Sequence, residues 1–153
     1  MILDIRYDFQ RSDRIGILEA IWGEDKNIDQ LKRVTKSVLS KNKIVFITRI
    51  DKKKAKILSS LYPKAEFYEE ANCLTIGTNS NLVKSDKKIA IISGGSSDLR
   101  VTLEAKIALE IYGVSCETFI DVGVAGLHRL LNKLDEINKC DILIVCAGME
   151  GAL

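Results

Sequence analysis

The sequence is poor in the residues that break or cross-link a chain. It has one proline, Pro63, and ten glycines among 153 residues, which excludes collagen-like and proline-rich classes. Its four cysteines, Cys73, Cys116, Cys140 and Cys146, show no CxxC spacing. Reduced thiols therefore fit better than a disulfide frame or a zinc site. No apolar run approaches the ~20 residues of a membrane span. The start, MILDIRYDFQR, lacks the basic and then apolar regions of a secretory signal. These absences point to a cytoplasmic protein with no membrane partner. An excess of one charge is also lacking, since 23 basic and 21 acidic residues leave +2. Residues 1–86 carry 16 basic and 12 acidic residues and residues 87–153 carry 7 and 9, so the halves stand at +4 and −2. A bias this small does not mark a nucleic-acid binder and suits at most a small anionic ligand. What is present is core-forming. Hydrophobic residues make up 46% and charged residues 29%, enough for one ordinary domain or two small ones.

The first part of the chain reads as a small α/β domain over residues 1–76. Ile17–Trp22 is a strand before a GEDKN turn, and Leu31, Val34, Val38 and Leu39 fall on one helical face. Ile44–Thr48 is a β-branched apolar run, hence a buried strand. Asp51 caps the next helix, which Tyr62–Pro63 stops. Glu66–Glu69 and Cys73–Ile76 are two further strands, and residues 77–87 are a polar, aperiodic linker. From residue 88 strand and helix alternate: Ile89–Ile92, a helix carrying Leu99 to Ile111 and closed by Gly113, Val114–Asp121, a helix carrying Leu127 to Ile137, and Asp141–Ala147. That alternation predicts a parallel, doubly wound sheet of flavodoxin-like type with right-handed crossovers. DILIVCA is apolar on both faces, yet only GMEGAL follows it. The expectation is an incomplete sheet over residues 88–153 whose remaining strands are missing. The alternative is a small fold whose exposed edge a neighbouring chain covers.

Ligands of open parallel sheets bind beyond the carboxyl ends of the strands. Three glycine-bearing loops occupy that side: Ser93–Asp98, Gly123–Arg129 and Gly148–Leu153. In the first, Gly94 and Gly95 let backbone approach a ligand, and Ser93, Ser96 and Ser97 offer hydroxyls, as a phosphate cradle requires. The plainer alternative is a helix start capped by Ser97 or Asp98. His128, the single histidine, is either a proton donor or a surface residue. Arg129 is either a partner for phosphate or carboxylate or a solvated helix residue. Glu150, in a Gly-flanked turn, is either a desolvated acid or base or a first-turn glutamate. Asp98 and Asp121 face the same choice, as do Lys26 and Arg49. Cys146 reads as a small buried apolar residue.

The strings DVGVAGLHRLL, CAGMEGAL and ISGGSSDL resemble the pyridinium-3,5-biscarboxylic acid mononucleotide synthase (LarB) family of nickel-pincer cofactor synthesis. RIGILEAIWGEDKNIDQL and FITR resemble that family's N-terminal region, without its proline. The family is related to the aminoimidazole ribonucleotide carboxylases and mutases (PurE-like). Ser97–Asp98 and His128–Arg129 match motifs of those enzymes, while Gly95 and Gly126–Leu127 depart from them and favour the pincer-cofactor enzyme. The resemblance implies that nicotinic acid adenine dinucleotide and CO2 or bicarbonate are substrates. The pyridinium ring is carboxylated and the phosphoanhydride is hydrolysed, releasing AMP. Glu150 matches the glutamate that removes the ring proton, with Asp98 and His128 beside it as catalytic groups. Ser93, Gly94, Gly95, Ser96, Ser97, Asp121, Gly123, Gly126, Arg129, Gly148 and Met149 would bind substrate. Mg2+ would neutralise the pyrophosphate, with no organic cofactor, and the full-length family would be homo-oligomeric. The family's nucleophilic cysteine lies in a C-terminal region that none of these four cysteines matches, so the chain is expected not to carboxylate by itself. The alternatives are a nucleotide-binding regulatory module, an aminoimidazole ribonucleotide mutase-like enzyme and an inactive fragment.

Overall fold

The IVFIT run forms strand β2 (Ile44–Thr48), with all five residues buried. A computed structural model describes residues 6–42, 44–78, 82 and 85–153 of the chain. These residues form two compact units, Met1–Ser80 and Asn81–Leu153. Residues 79–81, 83 and 84 of the expected linker lie outside the described residues.

In the first unit the elements are α1 (Arg11–Ile15), β1 (Ile21–Trp22), α2 (Ile28–Leu39), β2, α3 (Lys52–Leu61), β3 (Ala65–Tyr68) and β4 (Cys73–Gly77). The sheet order is β1-β2-β4-β3; β1 and β2 are parallel, and the pairs with β4 are antiparallel. Two helix starts are capped by side chains. Asn27 Oδ1 accepts from Gln30 N–H at 2.9 Å, and Asp51 Oδ1 accepts from Lys54 N–H at 2.9 Å. The expected apolar face of α2 is present: Leu31, Val34 and Val38 pack with Val45, Ile47, Leu58 and Leu74. The strand expected over Ile17–Trp22 is shorter than the sequence indicates. Glu19 is occupied elsewhere, its carbonyl accepting from Tyr7 Oη at 2.8 Å and its carboxylate from Asp8 N–H.

The second unit is the parallel α/β unit that the strand and helix alternation implies. Its elements are β5 (Ile89–Ser93), α4 (Leu99–Glu110), β6 (Cys116–Phe119), α5 (Leu127–Leu131), α6 (Leu134–Ile137) and β7 (Ile142–Cys146). The order is β6-β5-β7, parallel throughout. The chain steps from β5 to one neighbour and then crosses to the other. Right-handed crossovers therefore place α4 on one face and α5–α6 on the opposite one. This is how a flavodoxin-like sheet begins, and the fold class is α/β. Central β5 is buried throughout. Ala90 and Ile92 cluster with Phe119, Val122 and Ile137. β7 is an edge strand within this unit, and Ile142, Leu143 and Val145 are 46%, 50% and 52% exposed.

One expected helix is two. The backbone tightens at Asn132–Lys133, where Lys133 N–H reaches Leu130 O at 2.9 Å and Glu136 N–H reaches Lys133 O at 3.0 Å. These are turns of three residues rather than four. They separate α5 from α6, leaving Leu127, Leu131 and Leu134 exposed while Ile137 is buried.

Candidate functional site

β5 ends at Ser93, and both neighbouring strands grip the loop that leaves it. Gly94 N–H donates to Cys146 O at 3.0 Å, and Gly123 N–H donates to Gly94 O at 2.8 Å. Between them Val122 N–H reaches Ser93 O at 3.0 Å. The approach on the β6 side is close enough that a Cβ at Gly123 would overlap the Gly94 carbonyl. On the β7 side a Cβ at Gly94 would stand 3.1 Å from Ala152 O and 3.4 Å from Ala147 Cβ. All three expected loops thus meet at Gly94.

Within the first loop, Gly95 N–H donates to Asp98 Oδ2 at 2.9 Å, and Asp98 N–H returns to Gly95 O at 3.1 Å. Asp98 stands at the N-cap of α4, as one reading of the sequence expects, but makes no side-chain cap bond to it, because its carboxylate folds back onto Gly95. Asp98 Oδ1 also faces the third loop, 3.8 Å from where a Cβ of Gly148 would stand. Ser96 and Ser97 are exposed, as the cradle reading needs. Ser93 corrects that reading. It is fully buried, and its Oγ accepts from Asp121 N–H at 3.1 Å, so it braces the loops and is not open to a ligand.

In the second loop Asp121 takes a left-handed backbone, φ 60°, and its carboxylate is ion-paired with Arg129. Gly123 and Gly126 are buried, and a Cβ at Gly126 would overlap Arg129 Nε. Gly126 therefore leaves room for the arginine, and its N–H closes the turn on Gly123 O at 2.9 Å. His128 is exposed on α5 beside Arg129. In the third loop Met149 is 83% exposed and Glu150 is exposed with φ 44°. The desolvation that the sequence suggested for Glu150 is not there. The loops carrying His128 and Glu150 reach the same corner, but both side chains stand in the open. Among the described residues no three metal-ligating side chains gather.

Of the thiols in the second unit, only that of Cys146, the last residue of β7, lies at this corner, and it is buried. Cys116 and Cys140 precede or open their strands at the opposite end of the sheet, and Cys73 is in the first unit. Burial pushes the Cys116 thiol above its ordinary value, which disfavours the thiolate. The first unit brings together two residues that the sequence left separate. The Arg49 guanidinium lies 4.3 Å from the centre of the Trp22 ring. Trp22 and Thr48 are paired across β1 and β2, so the register puts the ring beside the residue that follows β2. A cleft of about 410 Å³ lies on this unit, lined in part by Glu19, Trp22, Asp25 and Lys26. A second, of about 450 Å³, runs along β6 from Cys116 to Val122.

A parallel α/β unit with glycine loops at its carboxyl edge, preceded by a small mixed-sheet domain, defines the class of protein. Over residues 3–78 the chain matches, and in that unit belongs to, the family described as the LarB/PurE-like N-terminal domain. It is also 36% identical over 158 aligned positions to an uncharacterised protein of Methanocaldococcus jannaschii. That alignment takes in 97% of this chain and 61% of the relative, so the chain spans about three-fifths of that protein's length. Among the described residues no helix is long and apolar enough to cross a membrane.

Proposed function

We propose that the second unit binds nicotinic acid adenine dinucleotide at the carboxyl edge of β5–β7 and, by itself, does not carboxylate it. The observation that carries the reading is the double clamp on Gly94, from Cys146 O on one side and by Gly123 N–H on the other. It fixes the loop that opens α4, and the start of a helix favours phosphate. Exposed Ser96 and Ser97 and the Arg129 guanidinium add donors for the pyrophosphate. Asp98, His128 and Glu150 are the proton-handling groups of this reading, with CO2 or bicarbonate as the second substrate. The covalent step that the family resemblance implies needs a thiolate at the pyridinium ring. No cysteine of this chain stands exposed at the corner.

The exposure of both His128 and Glu150 favours a second reading, a nucleotide-binding module that does no chemistry. Calorimetry with nicotinic acid adenine dinucleotide should give saturable heat, and its absence would overturn the binding reading. Incubation with the dinucleotide and bicarbonate should give no biscarboxylated product by mass spectrometry. Product from this chain would overturn the statement that it does not carboxylate.

A further inference from the structure

We propose that Asp121 is an internal counter-ion that holds Arg129 in position and competes with a phosphate or pyrophosphate group for it. The proposal rests on the reading that this corner takes a phosphorylated ligand. It makes Asp121 a positioning residue whose charge sets how strongly anions bind.

Three features carry it. The first is the backbone of Asp121, which lies in the left-handed region at φ 60°. Aspartate and asparagine tolerate that region better than other residues with a side chain. The N–H of Asp121 is tied to buried Ser93 Oγ, which pins the conformation that brings the carboxylate to Arg129. The second is space. Gly126 is buried, and a Cβ there would overlap Arg129 Nε, so the turn is shaped around the guanidinium. The third is an unfilled donor. The pair runs from Arg129 Nη1 to Asp121 Oδ2, while Arg129 Nε is buried without a hydrogen-bond partner among the described residues. A guanidinium carries five donors in a planar fork that fits a phosphate two at a time. The pair with Asp121 uses one of them and leaves another unsatisfied, a state that costs free energy. A phosphate group that turned the fork away from Asp121 would satisfy Nε and Nη together. The carboxylate left behind would remain close and repel it.

The test is Asp121→Asn, which keeps the shape, the tolerated backbone and an acceptor for Arg129 while removing the charge. With inorganic pyrophosphate as probe, calorimetry should show the variant binding about fivefold more tightly than the unmodified chain, the size of one nearby surface charge in water. Arg129→Lys should bind pyrophosphate less tightly than the unmodified chain. In proton–nitrogen correlation spectra of the unmodified chain, the Arg129 Nε–H signal, identified by its loss in Arg129→Lys, should move as pyrophosphate is added. Unchanged or weaker binding by Asp121→Asn, or a stationary Nε–H signal, would overturn the proposal. Should Asp121→Asn not fold, the signal in the unmodified chain decides. Dinucleotide binding that is indifferent to Asp121 would overturn this inference and leave the binding reading intact. Stronger pyrophosphate binding by the variant, with no dinucleotide binding by either chain, would do the reverse.

Discussion

Gly123→Ala tests whether the corner is built by close backbone approach. Gly123 has φ −68° and ψ 168°, ordinary extended backbone, so alanine brings no conformational strain. Its cost must come from space alone. The added methyl would overlap Gly94 O and stand 3.0 Å from the Gly94 carbonyl carbon. Relief requires the β6 loop to move off the β5 loop, which breaks the 2.8 Å bond from Gly123 N–H to Gly94 O. A lost hydrogen bond of this kind costs about 1 kcal/mol, and overpacking adds about 1–3 kcal/mol. Alanine returns about 0.4–1 kcal/mol by restricting the unfolded chain. The balance is a destabilisation of about 2 kcal/mol. Urea unfolding followed by far-ultraviolet circular dichroism should show a lower midpoint at unchanged slope. Native-state hydrogen exchange should show Val122 and residue 123 losing protection first. A loss below about 0.5 kcal/mol, or unchanged protection at both amides, would refute the argument that the loops are locked by contact.

Ser93→Ala removes the acceptor of the Asp121 N–H and should cost about 1–2 kcal/mol, measured by the same unfolding. Asp51→Ala should cost about 1 kcal/mol at neutral pH by uncapping α3. The bond from Lys54 N–H holds the Asp51 carboxyl below its ordinary 3.8. Its contribution is therefore present above that value and is lost as pH falls through the lower, folded one. Asp8, held down by Arg14, and Asp141, held down by the Lys88 N–H, act with the same sign. Stability should fall between about pH 5 and pH 3, and Asp51→Asn, which keeps a capping oxygen, should flatten that fall in a pH series of unfolding midpoints. Ile91→Ala should cost about 2–5 kcal/mol, because Ile91 is fully buried in β5. Leu143→Ala, at half exposure on β7, should cost under about 1 kcal/mol by the same measurement.

Patterns that depend on neighbours in sequence could be read directly. The IVFIT run marks β2 residue for residue because β-branched apolar residues on both faces leave few alternatives. Asp51 caps α3, and Gly113 adopts φ 78° at the end of α4, each for a local backbone reason. Features that depend on tertiary contact could not be read this way. α1 has no buried residue, so it leaves no apolar periodicity to find. Ser93 looks like a loop hydroxyl in sequence, but β5 runs one residue further and buries it. The helix expected over Leu127–Ile137 has its leucines at helical spacing, yet its backbone breaks at Asn132–Lys133. Asp121 and Arg129 were each singled out, but their pairing across eight residues requires the left-handed turn at Asp121 and the bare Cα of Gly126. The Trp22–Arg49 stack is of the same kind. Its signal, an aromatic ending β1 beside a basic residue following β2, becomes visible only once the two strands are paired.

The corner divides by how its parts are held. Gly94 and the residues around it are fixed by backbone hydrogen bonds to both neighbouring strands, and the N–H groups of Gly94, Gly95, Asp98 and Gly123 are spent on protein oxygens. This loop carries the exposed Ser96 and Ser97, and groups held in place beforehand lose little entropy when they meet a ligand. Glu150 and His128 lack such restraint from burial, since both are exposed and Glu150 sits in a short turn closed by Gly151 N–H to Gly148 O at 3.4 Å. A general base gains strength when its carboxylate is desolvated and its direction fixed. The loop around Gly94 is thus held more firmly than the side chains that would move a proton. That asymmetry is the physical reason for separating binding from carboxylation.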